Sequence, residues 1–223
     1  MRLIATKEIK ATIRLRSGLH IGAGKDNVEI GGLDQPIIKN PVTREPYIPG
    51  SSIKGKMRSM LETSILMDNP DTRGFVMKGK PCGCGKKGCP ACSIFGAHFN
   101  QKSEAGVPRL LVRDAELCKE DSERFQNGRL PMEIKNENSI DRLKGTAENP
   151  RPLERVPAGT CFELNLVLRV YEGDPDFLDY VLKGLKLLEM DAIGGGGSRG
   201  SGQIAFEGLT VDGEPRKLEA VSL

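Results

Sequence analysis

The sequence predicts an α+β chain built from two consecutive strand–helix–strand units. Two observations carry this. Apolar residues alternate with a period of two in segments that start or close each unit, and each alternation gives way to a helical spacing. A third observation concerns what interrupts the units. The stretches 67–106 and 129–158 hold too few apolar residues for cores of their own, so they read as insertions into a single domain spanning 1–223. Strand, helix, strand, then strand, helix, strand is the split βαβ order of a ferredoxin-like, RRM-like fold.

In chain order, Ile9, Ala11, Ile13 and Leu15 share one face of a strand and Lys10, Thr12, Arg14 and Arg16 the other. A loop rich in glycine (Gly18, Gly22, Gly24, Gly31, Gly32) and a proline-punctuated stretch (Pro36, Pro41, Pro46, Pro49) follow. Ile53, Met57, Met60, Leu61 and Ile65 then recur at helical spacing, with Ser51 or Ser52 placed to cap the first turn and an end expected near Met67. Arg109 to Ala115 reads as a short strand. Phe162, Leu164, Leu166, Leu168 and Val170 alternate in a longer one. Asp174 as cap and Pro175 at the first position are expected to open a second helix, buried through Phe177, Leu178, Val181, Leu182 and Leu185. A loop at Gly194–Gly202 leads into a last strand near Gln203 to Val211.

Composition excludes several classes. The chain has 223 residues, 33 Lys+Arg against 30 Asp+Glu, and a net charge of +3. With 38% hydrophobic residues and 27 glycines it is too apolar for a disordered tail and too evenly mixed for a coiled coil. No run approaches the ~18 apolar residues of a membrane span. The opening MRLIATKEIKATIRLR lacks the pattern of a secretory signal, so a cytoplasmic location is expected. Aromatics are only 4%, with no Trp, so stacking platforms for bases are scarce.

Four of the six cysteines fall in one motif, Cys82-x-Cys84-x4-Cys89-x2-Cys92. Four thiolates can close a tetrahedral zinc site, and four filled positions make it structural, not catalytic. The window 73–102 carries six basic residues (Arg73, Lys78, Lys80, Lys86, Lys87, Lys102) and no acid, which favours thiolates. Disulfides or a redox Cys89–Cys92 pair are the alternatives. The first is disfavoured in a cytosolic chain, and the second would leave Cys82 and Cys84 unused. His98 could replace one cysteine. Cys118 and Cys161 are expected to be ordinary buried thiols.

Two phosphate-binding look-alikes fail on inspection. Gly50-Ser-Ser-Ile-Lys-Gly55-Lys56 fits a P-loop until the eighth position, where Met57 stands in place of a magnesium-binding hydroxyl. Gly195-x-Gly197-x-x-Gly200 matches a dinucleotide fingerprint but follows a helix and precedes a strand, the reverse of the required order. What survives is a helix start with Lys54 and Arg58 one turn apart, and a loop with Ser198 and Arg199 able to meet a phosphodiester backbone. A solvated helix face and a plain connector are the alternative readings. No RNP1 pattern occurs, so RNA would be held through phosphates and sugars.

The segments LHIGAGKDNVEIGGLDQPIIKNPVTREPYIPGSSIKGKMRSMLE, CSIFG, PRLLVRDA, MEIKNENSIDRLKGTAENPRPLERVPAG and IGGGGSRGSG occur in this order. Together they resemble the RAMP-family backbone subunits of type III-A CRISPR (Csm) effector complexes, over about residues 7 to 211. The resemblance implies a ferredoxin-like palm with a thumb hairpin, several copies stacked along a guide RNA with other Csm subunits, and no membrane. It implies an endoribonuclease that cuts complementary target RNA in a reaction needing Mg²⁺ or another divalent cation. It assigns Asp34, in GGLDQP, to cleavage; from its neighbours alone Asp34 would read as a turn former. It places His20, Ser51, Ser52, Lys54 and Arg58 near guide RNA, matches 129–158 to the thumb with Lys135, Arg142, Arg151 and Arg155, and matches Gly194–Gly202, with Ser198 and Arg199, to the glycine-rich loop. Two other readings are a non-catalytic RNA scaffold and a guide-precursor nuclease using His20 as general base.

Overall fold

The computed structural model of the chain describes residues 2–24, 35–100 and 102–223. Its strands are β1 (Leu3–Leu15), β2 (Leu110–Val112), β3 (Glu133–Ile140), β4 (Ala147–Arg155), β5 (Cys161–Tyr171), β6 (Ile204–Val211) and β7 (Glu214–Pro215). Its helices are α1 (Gly50–Thr63), α2 (Pro70–Val76), α3 (Pro90–Phe95), α4 (Lys119–Gln126) and α5 (Leu178–Met190). One antiparallel sheet runs in the order β2-β5-β1-β6-β7. With β7 set aside, this is the order a split βαβ pair produces, and the ferredoxin-like expectation holds.

The alternation read in β1 is the burial pattern. Ile9, Ala11, Ile13 and Leu15 are buried, opposite Leu166, Leu164 and Phe162 of β5. α1 and α5 cover that face with Ile53, Met57, Leu61, Val181, Leu185 and Leu188, all buried in the one core cluster. Each such side chain contributes about 1.5–3 kcal/mol by leaving water.

Both expected helix starts are displaced, for one reason. Neither Ser51 nor Ser52 caps α1, whose first residue is Gly50. The Gly50 N–H instead donates to Asp114 Oδ1 at 2.7 Å, from the chain that follows β2. A Cβ at residue 50 would lie 2.4 Å from the Val112 carbonyl oxygen, so only glycine lets the helix start this close to β2. α1 stops at Thr63, short of Met67, and a 3₁₀ turn occupies Leu66–Asp68. Asp174 does not cap α5 either. It takes the buried Arg109 guanidinium at 2.8 and 3.0 Å and the Tyr171 N–H at 3.3 Å, and the helix begins at Leu178. In both places a distant partner outweighs the local cap signal: at α1 the Asp114 carboxylate takes the first helical N–H, and at α5 the buried Arg109 cation has to be paired.

β3 and β4 form a separate two-stranded sheet whose register runs from Glu133↔Arg155 to Ile140↔Ala147. Its far end is exposed. Its base, Leu153 to Arg155, is buried against the palm. Cys118 and Cys161 correct the expectation of free thiols: they are joined as a disulfide with Cα atoms 5.6 Å apart. The Leu117↔Phe162 bridge and the bond from Cys118 N–H to Cys161 O at 3.1 Å bring them to bridging range. No helix among the described residues is long and apolar enough to cross a membrane.

Candidate functional site

Three segments converge beside the hairpin base: residues 17–24, residues 35–39 and the glycine-rich loop after α5. The His20 carbonyl accepts the Gly195 N–H at 2.8 Å, and the Gly18 carbonyl accepts the Gly202 N–H at 2.9 Å. Gly194 sits at φ 76° with its missing Cβ position 2.3 Å from the His20 oxygen, so a side chain there would expel the loop. Ile38 N–H to Ile21 O at 2.8 Å and Ala23 N–H to Pro36 O at 3.1 Å pair the second segment with the first.

Glu154, near the end of β4, ties these segments together. Its carboxylate takes Lys39 Nζ at 2.6 Å and the Ile37 N–H at 3.0 Å, its N–H donates to Gln35 O at 3.2 Å, and its carbonyl meets His20 Nδ1 at 2.8 Å. The side chain is only 8% exposed, so both carboxylate oxygens need these partners. A carbonyl can only accept, so this bond needs the proton on Nδ1, and in the tautomer that makes it Nε2 carries the lone pair. Asp34 lies outside the described residues. Gln35, its neighbour in the chain, is held by this network and bridged to Leu153.

The hairpin meets the glycine-rich loop in a second cluster. Lys135 Nζ donates to Arg199 O at 2.9 Å, and Arg199 Nε approaches Glu137 at 3.1 Å. The bond from Arg199 holds the Glu137 carboxyl below its ordinary value, with Lys135 adding to it. Ser198 is exposed in the turn Gly197–Arg199. Arg155, buried, bonds Ser201 Oγ at 3.1 Å and pairs with Glu133. Arg142 and Arg151 lie out on the hairpin, exposed. The structure therefore brings His20, Lys135, Arg155, Ser198 and Arg199 into one region.

The α1 residues form another. Ser51 is exposed and Ser52 half-buried. Lys54 Nζ donates to Leu110 O at 2.8 Å, and burial, then Arg58 and Arg169, hold it below the usual lysine range. Arg58 bonds Glu62 at 2.8 Å and Cys82 O at 2.6 Å. Lys56 links this helix to the start of the glycine-rich loop through Asp191 at 2.7 Å.

All four sulfurs of Cys82, Cys84, Cys89 and Cys92 lie within 4.8 Å of one another. The Cys82–Cys89, Cys84–Cys92 and Cys82–Cys92 separations are 3.9, 3.7 and 3.7 Å. Ligands about 2.3 Å from a tetrahedral centre stand about 3.8 Å apart, so the donor set fits a metal. The Gly85 N–H donates to Cys92 Sγ at 3.4 Å, and Thr72 Oγ1 to Cys82 Sγ at 3.7 Å, bonds that favour thiolates. Burial pushes the Cys84 thiol up to about 11, so a cation beside it is what would favour its ionised form. His98 is outside the set: its N–H donates to Cys82 O at 3.2 Å and its ring packs on Phe99.

Sequence reasoning missed Glu154 and Asp114. Each is an acid in a polar or strand-end context that local pattern reads as solvated, and only tertiary placement reveals its partner.

Residues 12–205 match the family described as the RAMP superfamily. The chain is 42% identical to the "CRISPR system Cms endoribonuclease Csm3" of Methanothermobacter thermautotrophicus, over 96% of this chain and 89% of the relative. It is 36% identical to the protein of the same name from Streptococcus thermophilus, over 91% and 87%. Two solved structures are similar. "Crystal structure of Csm3-Csm4 subcomplex in the type III-A CRISPR-Cas interference complex" matches with TM-score 0.60 and 28% identity, over 95% of this chain and 80% of that one. "Methanopyrus kandleri Csm3 crystal structure" matches with TM-score 0.61 and 27% identity, over 90% and 75%.

Proposed function

Since the chain belongs to the RAMP superfamily, and within it to the family of its relatives named Csm3, we propose that it is a backbone subunit of a type III-A CRISPR effector. In that role it binds guide RNA and cleaves complementary target RNA endonucleolytically. The observation that carries the reading is the identity of 42% and 36%, across nearly the whole chain, to relatives named endoribonuclease. The solved relative in complex with Csm4 supports other Csm subunits as partners; further copies of this chain stacked along the guide RNA, and a cytoplasmic location, are part of the same proposal.

The catalytic residue in this proposal is Asp34. Cleavage needs the ribose 2′-OH deprotonated and placed in line with the leaving 5′ oxygen. Asp34 accepts that proton or orients a hydrated cation at the scissile phosphate. A bound Mg²⁺ or similar ion would supply charge neutralisation there, held by the Asp34 carboxylate and phosphate oxygens. The Glu154 network supports this by fixing the backbone next to Asp34 against the hairpin. Lys135, Arg142, Arg151, Arg155, Ser198 and Arg199 would meet RNA from the hairpin and loop, and Ser51, Ser52, Lys54 and Arg58 from α1. Arg155 and Arg58, each committed to internal partners, would do so mainly by shaping the surface. The segments 67–106 and 129–158 are insertions into one RAMP domain, the first holding a structural Zn²⁺ at Cys82, Cys84, Cys89 and Cys92, the second acting as the thumb.

A second reading has one observation in its favour: His20, with Nδ1 donating to Glu154 O, presents Nε2 as a base. The discriminating experiment is cleavage in EDTA. Asp34-dependent cleavage stops when the divalent ion is removed, whereas histidine-driven cleavage continues. An assembled complex that binds target and never cuts it would favour the scaffold.

A further inference from the structure

The cysteine-bearing segment displays one aromatic ring that the core does not use. Phe99 is 93% exposed in a chain whose aromatic content is 4%. Its backbone is left-handed, φ 47°, a conformation bulky residues rarely adopt. Both of its neighbours are anchored to the cysteine loop. The His98 N–H donates to Cys82 O at 3.2 Å, and Asn100 Nδ2 donates to Gly83 O at 2.9 Å and Cys84 O at 3.3 Å. The His98 ring packs edge-on against Phe99, centroids 4.3 Å apart, which steadies the ring without covering it.

Lysines outnumber acids along the segment, where exposed Glu104 is the one carboxylate between residues 77 and 105. Lys102 follows three residues on, its N–H bonded to Asn100 Oδ1 at 3.1 Å. The opposing loop, joined by Ala105 N–H to Gly85 O at 2.9 Å, carries exposed Lys87 and exposed Lys86, whose Nζ pairs with Asp71 at 2.9 Å. An uncovered ring on an anchored segment that also carries lysines combines the two elements that bind single-stranded nucleic acid, a base-stacking face and charge for the backbone. A protein-docking hydrophobe would favour an apolar surround, and this one is lysine-rich.

We propose that Phe99 is a stacking platform for an unpaired RNA base, with Lys86, Lys87 and Lys102 holding the adjoining phosphates. This deepens the RNA-binding reading above and rests on it. It also means that this chain touches RNA bases as well as backbone, at a position set by the cysteine cluster.

The test uses the full chain and a fluorescein-labelled, unstructured single-stranded RNA, with a duplex RNA beside it. Phe99→Ala should weaken single-strand binding about tenfold with duplex binding unchanged, while Phe99→Tyr retains affinity and Phe99→Leu does not. The salt slope should be unchanged in Phe99→Ala and shallower in the Lys86→Ala/Lys87→Ala double variant. A 2-aminopurine base in the strand should lose fluorescence on wild-type protein and keep it on Phe99→Ala. Wild-type affinity in Phe99→Ala overturns the inference alone, and so does impaired self-association with RNA affinity intact, which would make Phe99 a protein contact. A wild-type chain that binds no RNA overturns both this inference and the function it rests on.

Discussion

The Arg58 guanidinium donates to the carbonyl oxygen of Cys82 at 2.6 Å, and Cys82 returns a bond through its N–H to Glu62 Oε1 at 3.1 Å, the same oxygen that Arg58 Nε holds at 2.8 Å. The first cysteine of the cluster is thereby locked to the palm helix α1. Glu62 is buried and Arg58 is its ion-pair partner. Arg58→Ala should cost about 3 kcal/mol of stability, the range for breaking a buried pair, and should speed metal loss from the cluster. Chelation in the wild type should loosen residues 77–105 while the sheet persists. Hydrogen exchange with and without a strong chelator checks both, with any bound metal identified and counted by mass spectrometry.

The start of α1 carries a second expectation. Asp114→Ala removes the carboxylate that the Gly50 N–H uses and should destabilise by about 1 kcal/mol, the usual worth of a helix N-cap. Gly50→Ala should cost more, because the new Cβ meets the Val112 carbonyl backbone. Thermal melts of both variants measure the order, and Gly50→Ala as stable as wild type would refute the close approach.

Stability should respond to acid through Asp174. Its bonds from Arg109 hold the Asp174 carboxyl below the ordinary carboxylate range. A depressed carboxyl contributes stability that is present above its unfolded value, about 3.9, and is lost as pH falls through the folded value. Asp174→Asn should melt lower than wild type at pH 7, and the gap should close as the pH is taken below about 4. A gap independent of pH would show that the pair contributes through packing alone.

Glu154 should matter to cleavage more than to binding. It fixes residues 35–39 through its carboxylate and N–H and the His20 ring through its carbonyl, so it is a positioning residue. In Glu154→Gln the Lys39 contact weakens while the shape is kept. Target cleavage should drop about tenfold or more with target affinity within twofold, since small misplacements of reacting groups are expensive in rate. Equal loss of affinity and rate would assign Glu154 to folding or RNA binding instead.

Much of this architecture is legible in the sequence because burial is periodic. Ile9 to Leu15 and Phe162 to Leu168 mark their strands, and Ile53, Met57 and Leu61 their helix, with the correct buried faces. The cysteine cluster is legible because its spacing alone restricts the chemistry. Helix ends are not. Ser51, Ser52 and Asp174 have the right composition for caps, but the Gly50 N–H is claimed by Asp114 from another element and Asp174 by Arg109, sixty-five residues away. Glu154 and Phe99 are hidden for the same reason. Their meaning comes from what the fold brings near them, or leaves off them. The Cys118–Cys161 bond depends on a strand pairing that no local pattern encodes.

Cleavage through Asp34 can be read against binding in a single reconstitution. Complexes reconstituted with wild-type chain or Asp34→Ala are given a radiolabelled target complementary to the guide, in Mg²⁺, with binding and cleavage read on the same samples. Equal target binding is expected, with regularly spaced products from the wild type and none from Asp34→Ala. Undiminished cleavage by Asp34→Ala would contradict it.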